Sequence, residues 1–207
     1  MPRRISQPCP TTPRRRPMTD VILFHHALGL TDGVNDFADK LRAGGHAVTV
    51  PDFYAGATFQ NLDEGVAYAE SAGMEETTAR AIAAVEPIPS RVVYAGFSLG
   101  TLPAQKLAQT RPGALGALLY HGGDVPSSTF GTSWPESVGL QVHLAEGDEW
   151  IELDVAQELV AEAASGELFV YPGSAHLFTD RSLPEYQEEA TALVLERTLG
   201  FLAERGG

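Results

Sequence analysis

Gly96-Phe97-Ser98-Leu99-Gly100 sets a serine between two glycines. A serine hydroxyl is a weak nucleophile at neutral pH and needs a base to take its proton. The G-x-S-x-G spacing suits a sharp strand-to-helix turn that exposes the hydroxyl, the glycines removing side chains that would collide with neighbouring backbone. Six histidines could supply the base: His25, His26, His46, His121, His143 and His176. His176 comes last in the chain, in Pro172-Gly173-Ser174-Ala175-His176, as the order nucleophile–acid–histidine requires. His143 falls inside an apolar run and reads as a packed residue, and His46 opens a strand far from the turn. The acid that orients the histidine should precede it by one strand. Asp148, after Gly147 in Leu144-Ala145-Glu146-Gly147-Asp148-Glu149, fills that place, with Glu146, Glu149 and Asp154 as rivals. Backbone donors for a developing oxyanion are expected at Leu99 and at Ala27 in His25-His26-Ala27-Leu28-Gly29. His25 and His26 point to opposite faces of a strand, and there is no H-E-x-x-H or cysteine cluster. No metal and no cofactor are expected.

The elements that must position these groups alternate. Val21–His26, His46–Val50, Arg91–Phe97, Ala114–Tyr120, Leu140–Ala145 and Glu167–Tyr171 read as strands. Helical spacing marks Val34–Ala43, Leu62–Val85 with a break near Gly73, Leu99–Thr110, and about 153–164 and 184–204. Continuously apolar strands alternating with helices predict an α/β architecture: a mostly parallel sheet of about six strands with helices on both faces. Ser98, Asp148 and His176 each follow a strand, so all three belong at the carboxyl end of the sheet. The loop from Gly122 to Val138 carries Phe130 and Trp134 and is expected, with Tyr54, to form an aromatic rim. It is too short for a separate lid domain.

At 207 residues, 43% hydrophobic and 20% charged, the chain fits one domain with an ordinary core. A net charge of −13 argues against a nucleic-acid partner. No apolar run is long enough to span a membrane. Cys9 is alone, so no internal disulfide can form, and a cytoplasmic location is expected. Five arginines and five prolines crowd residues 1–17, which contain no acidic residue. That segment is expected to be disordered and outside the fold, with translation starting at Met18 and the domain covering 18–207.

With these residues placed, the chain resembles the dienelactone hydrolase family. Val21–Ala27, Gly33-Val34-Asn35 and Val50-Pro51-Asp52-Phe53-Tyr54-Ala55-Gly56 are similar to that family's opening strand, its G-V-N segment and its P-D-[LF]-Y-x-G strand end. The serine turn, Gly147-Asp148 and Ala175-His176-x-Phe178 continue the match over roughly residues 19–204. The resemblance implies an α/β-hydrolase fold. Family members typically use a cysteine nucleophile and a glutamate after the opening strand; Ser98 and His26 stand in those places. Serine is activated through histidine without a thiolate, so losing both together is chemically consistent. His26 is then expected beside the substrate. Arg181 is the nearest candidate for a cation that grips a substrate carboxylate, with a surface salt bridge as its rival role.

The reaction implied is cleavage of a small ester, lactone or thioester, with Ser98, Asp148 and His176 as a triad. Acyl transfer is the alternative within enzymes, and a non-catalytic binding or interaction protein is the rival from another class. Neither the natural substrate nor the oligomeric state is legible.

Overall fold

The computed structural model describes residues 18–123 and 125–206; the basic segment 1–17 lies outside them. Six strands form one sheet in the order β2-β1-β3-β4-β5-β6, and all five pairings are parallel. They are β1 (Asp20–Phe24), β2 (Ala47–Thr49), β3 (Val93–Phe97), β4 (Gly116–Tyr120), β5 (Gly139–Ala145) and β6 (Gly166–Tyr171). The helices are α1 (Asp32–Ala43), α2 (Leu62–Ala72), α3 (Met74–Val85), α4 (Thr101–Thr110), α5 (Leu153–Glu162) and α6 (Glu188–Arg205).

Strand side chains alternate between two cores, as the pleat demands. Ile22, Phe24, Tyr94, Leu119 and Val142 meet Ala81 of α3, Leu107 of α4 and Leu159 of α5. Val21, Leu23, Phe97, Leu118 and Tyr120 meet Phe37 of α1 and Val194 and Phe201 of α6. Each face of the sheet is therefore covered, which explains strands with no polar alternation.

Several boundaries follow from local chemistry. Thr31 caps α1 by accepting the Val34 N–H at 3.2 Å, so the helix starts two residues before its first apolar contact. Gly73, at φ +91°, separates α2 from α3. The last helix begins at Glu188, four residues later than its apolar spacing suggests. Residues 180–187 form turns instead, with Leu183 N–H to Asp180 O at 3.2 Å and Tyr186 N–H to Leu183 O at 3.3 Å.

The P-D-F-Y-A-G segment closes on itself. The Asp52 carboxylate accepts the amides of Tyr54 (3.0 Å) and Gly56 (2.6 Å), and the backbone turns through positive φ at Ala55 and Gly56. Its aromatics point inward, which corrects the expected rim. Tyr54 is 2% exposed, its ring packed among His25, Phe53, Phe59 and Tyr68. Trp134 is also buried and donates Nε1–H to Val138 O at 2.7 Å. The Gly122–Val138 loop runs along α4. Gln105 binds Val125 O (2.8 Å), Gln109 binds Ser127 O (3.1 Å) and Thr132 O (3.0 Å), and Ser127 bonds to Glu162 of α5. Phe130, half-buried, lies between Ser127 and Thr132, whose carbonyls Gln109 binds near the end of α4.

Candidate active site

Ser98 stands at φ +48°, a left-handed conformation that costs a non-glycine residue energy and is kept only where the surroundings impose it. The imposition is visible in its neighbours. A Cβ at Gly96 would lie 2.0 Å from Gly100 O, and one at Gly100 would lie 2.6 Å from the carbonyl oxygens of Phe24 and His25. Two hydrogens in place of two methyl groups let the turn press against the end of β1. Thr101 Oγ1 donates to Ser98 O at 2.6 Å and secures the start of α4.

His176 and Asp148 come from neighbouring loops laced together by backbone. Glu146 N–H donates to Tyr171 O at 2.8 Å and Gly147 N–H to Gly173 O at 2.9 Å. Gly173 makes that approach at φ +107°. The result is a continuous hydrogen-bond chain: Ser98 Oγ to His176 Nε2 at 2.7 Å, and His176 Nδ1 to Asp148 Oδ2 at 2.7 Å. Asp148 has a fully buried carboxylate whose second oxygen accepts the Trp150 amide at 3.0 Å. The rival carboxylates Glu146, Glu149 and Asp154 are exposed.

Two other predicted site residues are engaged elsewhere. His26 is 1% exposed; its Nε2 bonds to Asp180 Oδ2 at 2.8 Å and its Nδ1 accepts the Leu28 amide at 3.2 Å. With both ring nitrogens occupied inside the protein, His26 has none left for a substrate. Arg181 reaches Asp36 of α1 at 3.1 Å on the surface, which is the salt-bridge role.

Trp150 and Asp180 had no sequence signal pointing to them at the site, and His121 entered only as one of six histidines that could supply the base. Trp150 is 48% exposed, its ring centroid 5.7 Å from that of His176. Asp180 is buried, and although burial opposes its ionisation, bonds from His26, Ser182 and Thr31 hold its carboxyl at about 2. His121 follows β4 at φ +56°, bonds to Thr179 Oγ1 at 2.7 Å, and has its ring 6.1 Å from that of His176. Burial first, and the nearby His176 next, push His121 well below the usual imidazole range. His143 is packed as expected, its Nδ1 bonded to Tyr171 Oη at 2.8 Å, and burial lowers it to about 3.

A parallel sheet carrying Ser98, Asp148 and His176 on loops after β3, β5 and β6, with the serine on a strained strand-to-helix turn, has the architecture of an α/β-hydrolase. The sequence profile of the dienelactone hydrolase family matches residues 9–206, and the chain belongs to that family. Among solved structures it is similar to a dienelactone hydrolase-like promiscuous phosphotriesterase, P91, from metagenomic libraries. That pair shares 19% identity and a TM-score of 0.71, over 93% of this chain and 88% of the other. It is also similar to a cold-adapted esterase from an Arctic intertidal metagenomic library, at 18% identity and a TM-score of 0.58, over 90% of this chain and 82% of the other. No curated protein matches the chain by sequence. No helix among the described residues is long and apolar enough to cross a membrane.

Proposed function

We propose that the protein hydrolyses small carboxylic esters, lactones or thioesters through an acyl intermediate on Ser98. The observation that carries this reading is the unbroken chain Ser98 Oγ–His176–Asp148, each link 2.7 Å, beginning at a positive-φ serine. Ser98 Oγ attacks the carbonyl carbon while His176 Nε2 takes the hydroxyl proton. The carbonyl electron pair moves onto oxygen, where the Leu99 and Ala27 amides stabilise it. Collapse of this intermediate breaks the bond to the leaving group, which takes the proton from His176. Water then attacks the acyl carbon, giving its proton to His176, and Ser98 leaves with that proton restored. Asp148 accepts His176 Nδ1–H throughout, which keeps the Nε2 lone pair facing the serine.

The exposed Trp150 ring beside His176 gives apolar substrate groups a surface to pack on. Arg181 is already paired with Asp36, which favours neutral over anionic substrates. Labelling with a fluorophosphonate, alongside an aryl-ester assay, tests the reading. The parent protein should label and turn over, and Ser98→Ala should do neither. Parental turnover by Ser98→Ala would remove the mechanism.

A further inference from the structure

Two of the buried histidines that the mechanism above leaves unused, His25 and His26, lie on opposite faces of the segment that follows β1. His25 donates Nδ1–H to the carbonyl oxygen of His26 at 2.8 Å, and the Gly29 amide donates to the same oxygen at 3.0 Å. That carbonyl shares a planar peptide group with the Ala27 N–H, and among the described residues no peptide bond is cis. In a trans peptide the N–H points opposite to the C=O. Two donors fixing the His26 oxygen therefore fix the direction of the Ala27 N–H. Among the described residues no acceptor takes that N–H.

His26 secures the next peptide. Its Nδ1 accepts the Leu28 N–H, so its proton sits on Nε2 and is donated to Asp180. Asp180 is saturated: Oδ2 also accepts Thr31 Oγ1 at 2.6 Å, and Oδ1 accepts the Ser182 amide (2.8 Å) and hydroxyl (2.6 Å). Gly33 makes room for this carboxylate, since a Cβ there would lie 1.6 Å from Asp180 Oδ1. Asp180 lies four residues beyond His176, so the link joins the Ala27 segment to the loop that carries the base. On the opposite face the His25 ring lies flat on Phe53, 3.7 Å between centroids and 3° from parallel. Its Nε2 has no hydrogen-bond partner and sits 3.8 Å from Asp52 Oδ1. Burial lowers His25 to about 4, consistent with a neutral ring whose single proton is on Nδ1.

We propose that His25 and His26 are positioning residues that aim the Ala27 amide at the substrate oxyanion, and that Asp180 couples this aim to the His176 loop. The proposal rests on the serine-hydrolase reading above, and three variants test it on an aryl oxoester and its thionoester. Sulfur is a poor hydrogen-bond acceptor, so a well-aimed hole discriminates between the two. His25→Phe keeps the stack on Phe53 and removes only the Nδ1–H donor. It should lose about 10²-fold in kcat, the scale of losing one oxyanion donor. KM should change little, and the oxoester-to-thionoester ratio should shrink with kcat. His26→Gln keeps a donor for Asp180 but offers no acceptor at the Nδ1 position, whereas His26→Asn keeps that acceptor and loses the Asp180 link. The Gln variant should therefore lose more kcat and the Asn variant more melting temperature. A kcat that follows melting temperature across the variants, or a parental oxo-to-thiono ratio in His25→Phe, would overturn the proposal. If His25→Phe does not fold, the crossed Gln and Asn pattern decides alone. Ser98→Ala in the same assay separates the two readings. An active Ser98→Ala sinks the serine mechanism, whereas an inactive one beside a fully active His25→Phe sinks only the positioning role.

Discussion

Lowering the pH from 7 to 5 should destabilise the fold through its buried imidazoles. In the unfolded chain each protonates near pH 6.5, whereas burial lowers His25 to about 4 and His143 to about 3. Between those values the unfolded chain takes up a proton that the folded chain does not. Stability is thus complete above about pH 6.5 and falls as pH drops. At pH 5 the gap is about 1.5 pH units for each, or about 2 kcal/mol per histidine and about 4 kcal/mol for the pair. His121 adds in the same direction. A typical domain has only about 5–15 kcal/mol in all. Neither ring can escape the cost by moving slightly. His25 is stacked on Phe53, and His143 is stacked among Tyr120, Phe169 and Tyr171, with Arg197 over the last two rings. Urea titrations at pH 7, 6 and 5 measure the effect directly. Below pH 6.5 the unfolding free energy should fall by about 2.7 kcal/mol per pH unit for these two groups. A free energy that is flat or rising from pH 7 to pH 5 would refute the argument.

Asp148→Asn should keep the fold but present the wrong imidazole tautomer, with a kcat loss on the order of 10⁴ as in serine proteases; Glu146→Gln and Glu149→Gln, assayed alongside, should stay near the parent. Gly96→Ala should cost several kcal/mol or prevent folding, because its methyl would meet backbone at 2.0 Å; a melting temperature within a degree of the parent would contradict the turn's geometry. Trp150→Ala should raise KM for aryl esters several-fold with a smaller change in kcat, since the Trp150 amide that holds Asp148 is kept. Turnover of a homologous ester series should fall as the acyl chain lengthens, because the loop that could have sheltered a long chain lies along α4.

The sheet was legible because its strands are mostly apolar, without polar alternation in β1, β3 and β4, and its helices keep a 3.6-residue period. Ser98 was marked by its flanking glycines, and chain order then pointed to Asp148 and His176, because each follows a strand and a parallel sheet brings those ends together. The aromatic rim was not legible. Composition reveals that Tyr54 and Trp134 lie in loops, but not that Asp52 curls one segment inward or that Gln105 and Gln109 pin the other to α4. The His26–Asp180 pair spans 154 residues, and nothing local in either segment announces it. Trp150 was missed for a related reason: an indole two residues after an acid looks like any surface side chain until the backbone turn brings it beside His176.

The seating of the Gly122–Val138 loop along α4 also bears on where an acyl group would go. A transferase must keep an acyl-serine from solvent until its acceptor arrives, because water is present at tens of molar and most acceptors at millimolar or less. With the described residues of that loop held by two glutamines and Ser98 only half-buried, the ester carbon of the proposed acyl-serine is expected to stay open to solvent during the second half of the cycle. On the proposed mechanism the competition would then be decided by concentration, and the acyl-serine would partition to the free acid. Even an added alcohol should capture only the fraction that its molarity and nucleophilicity earn against the solvent.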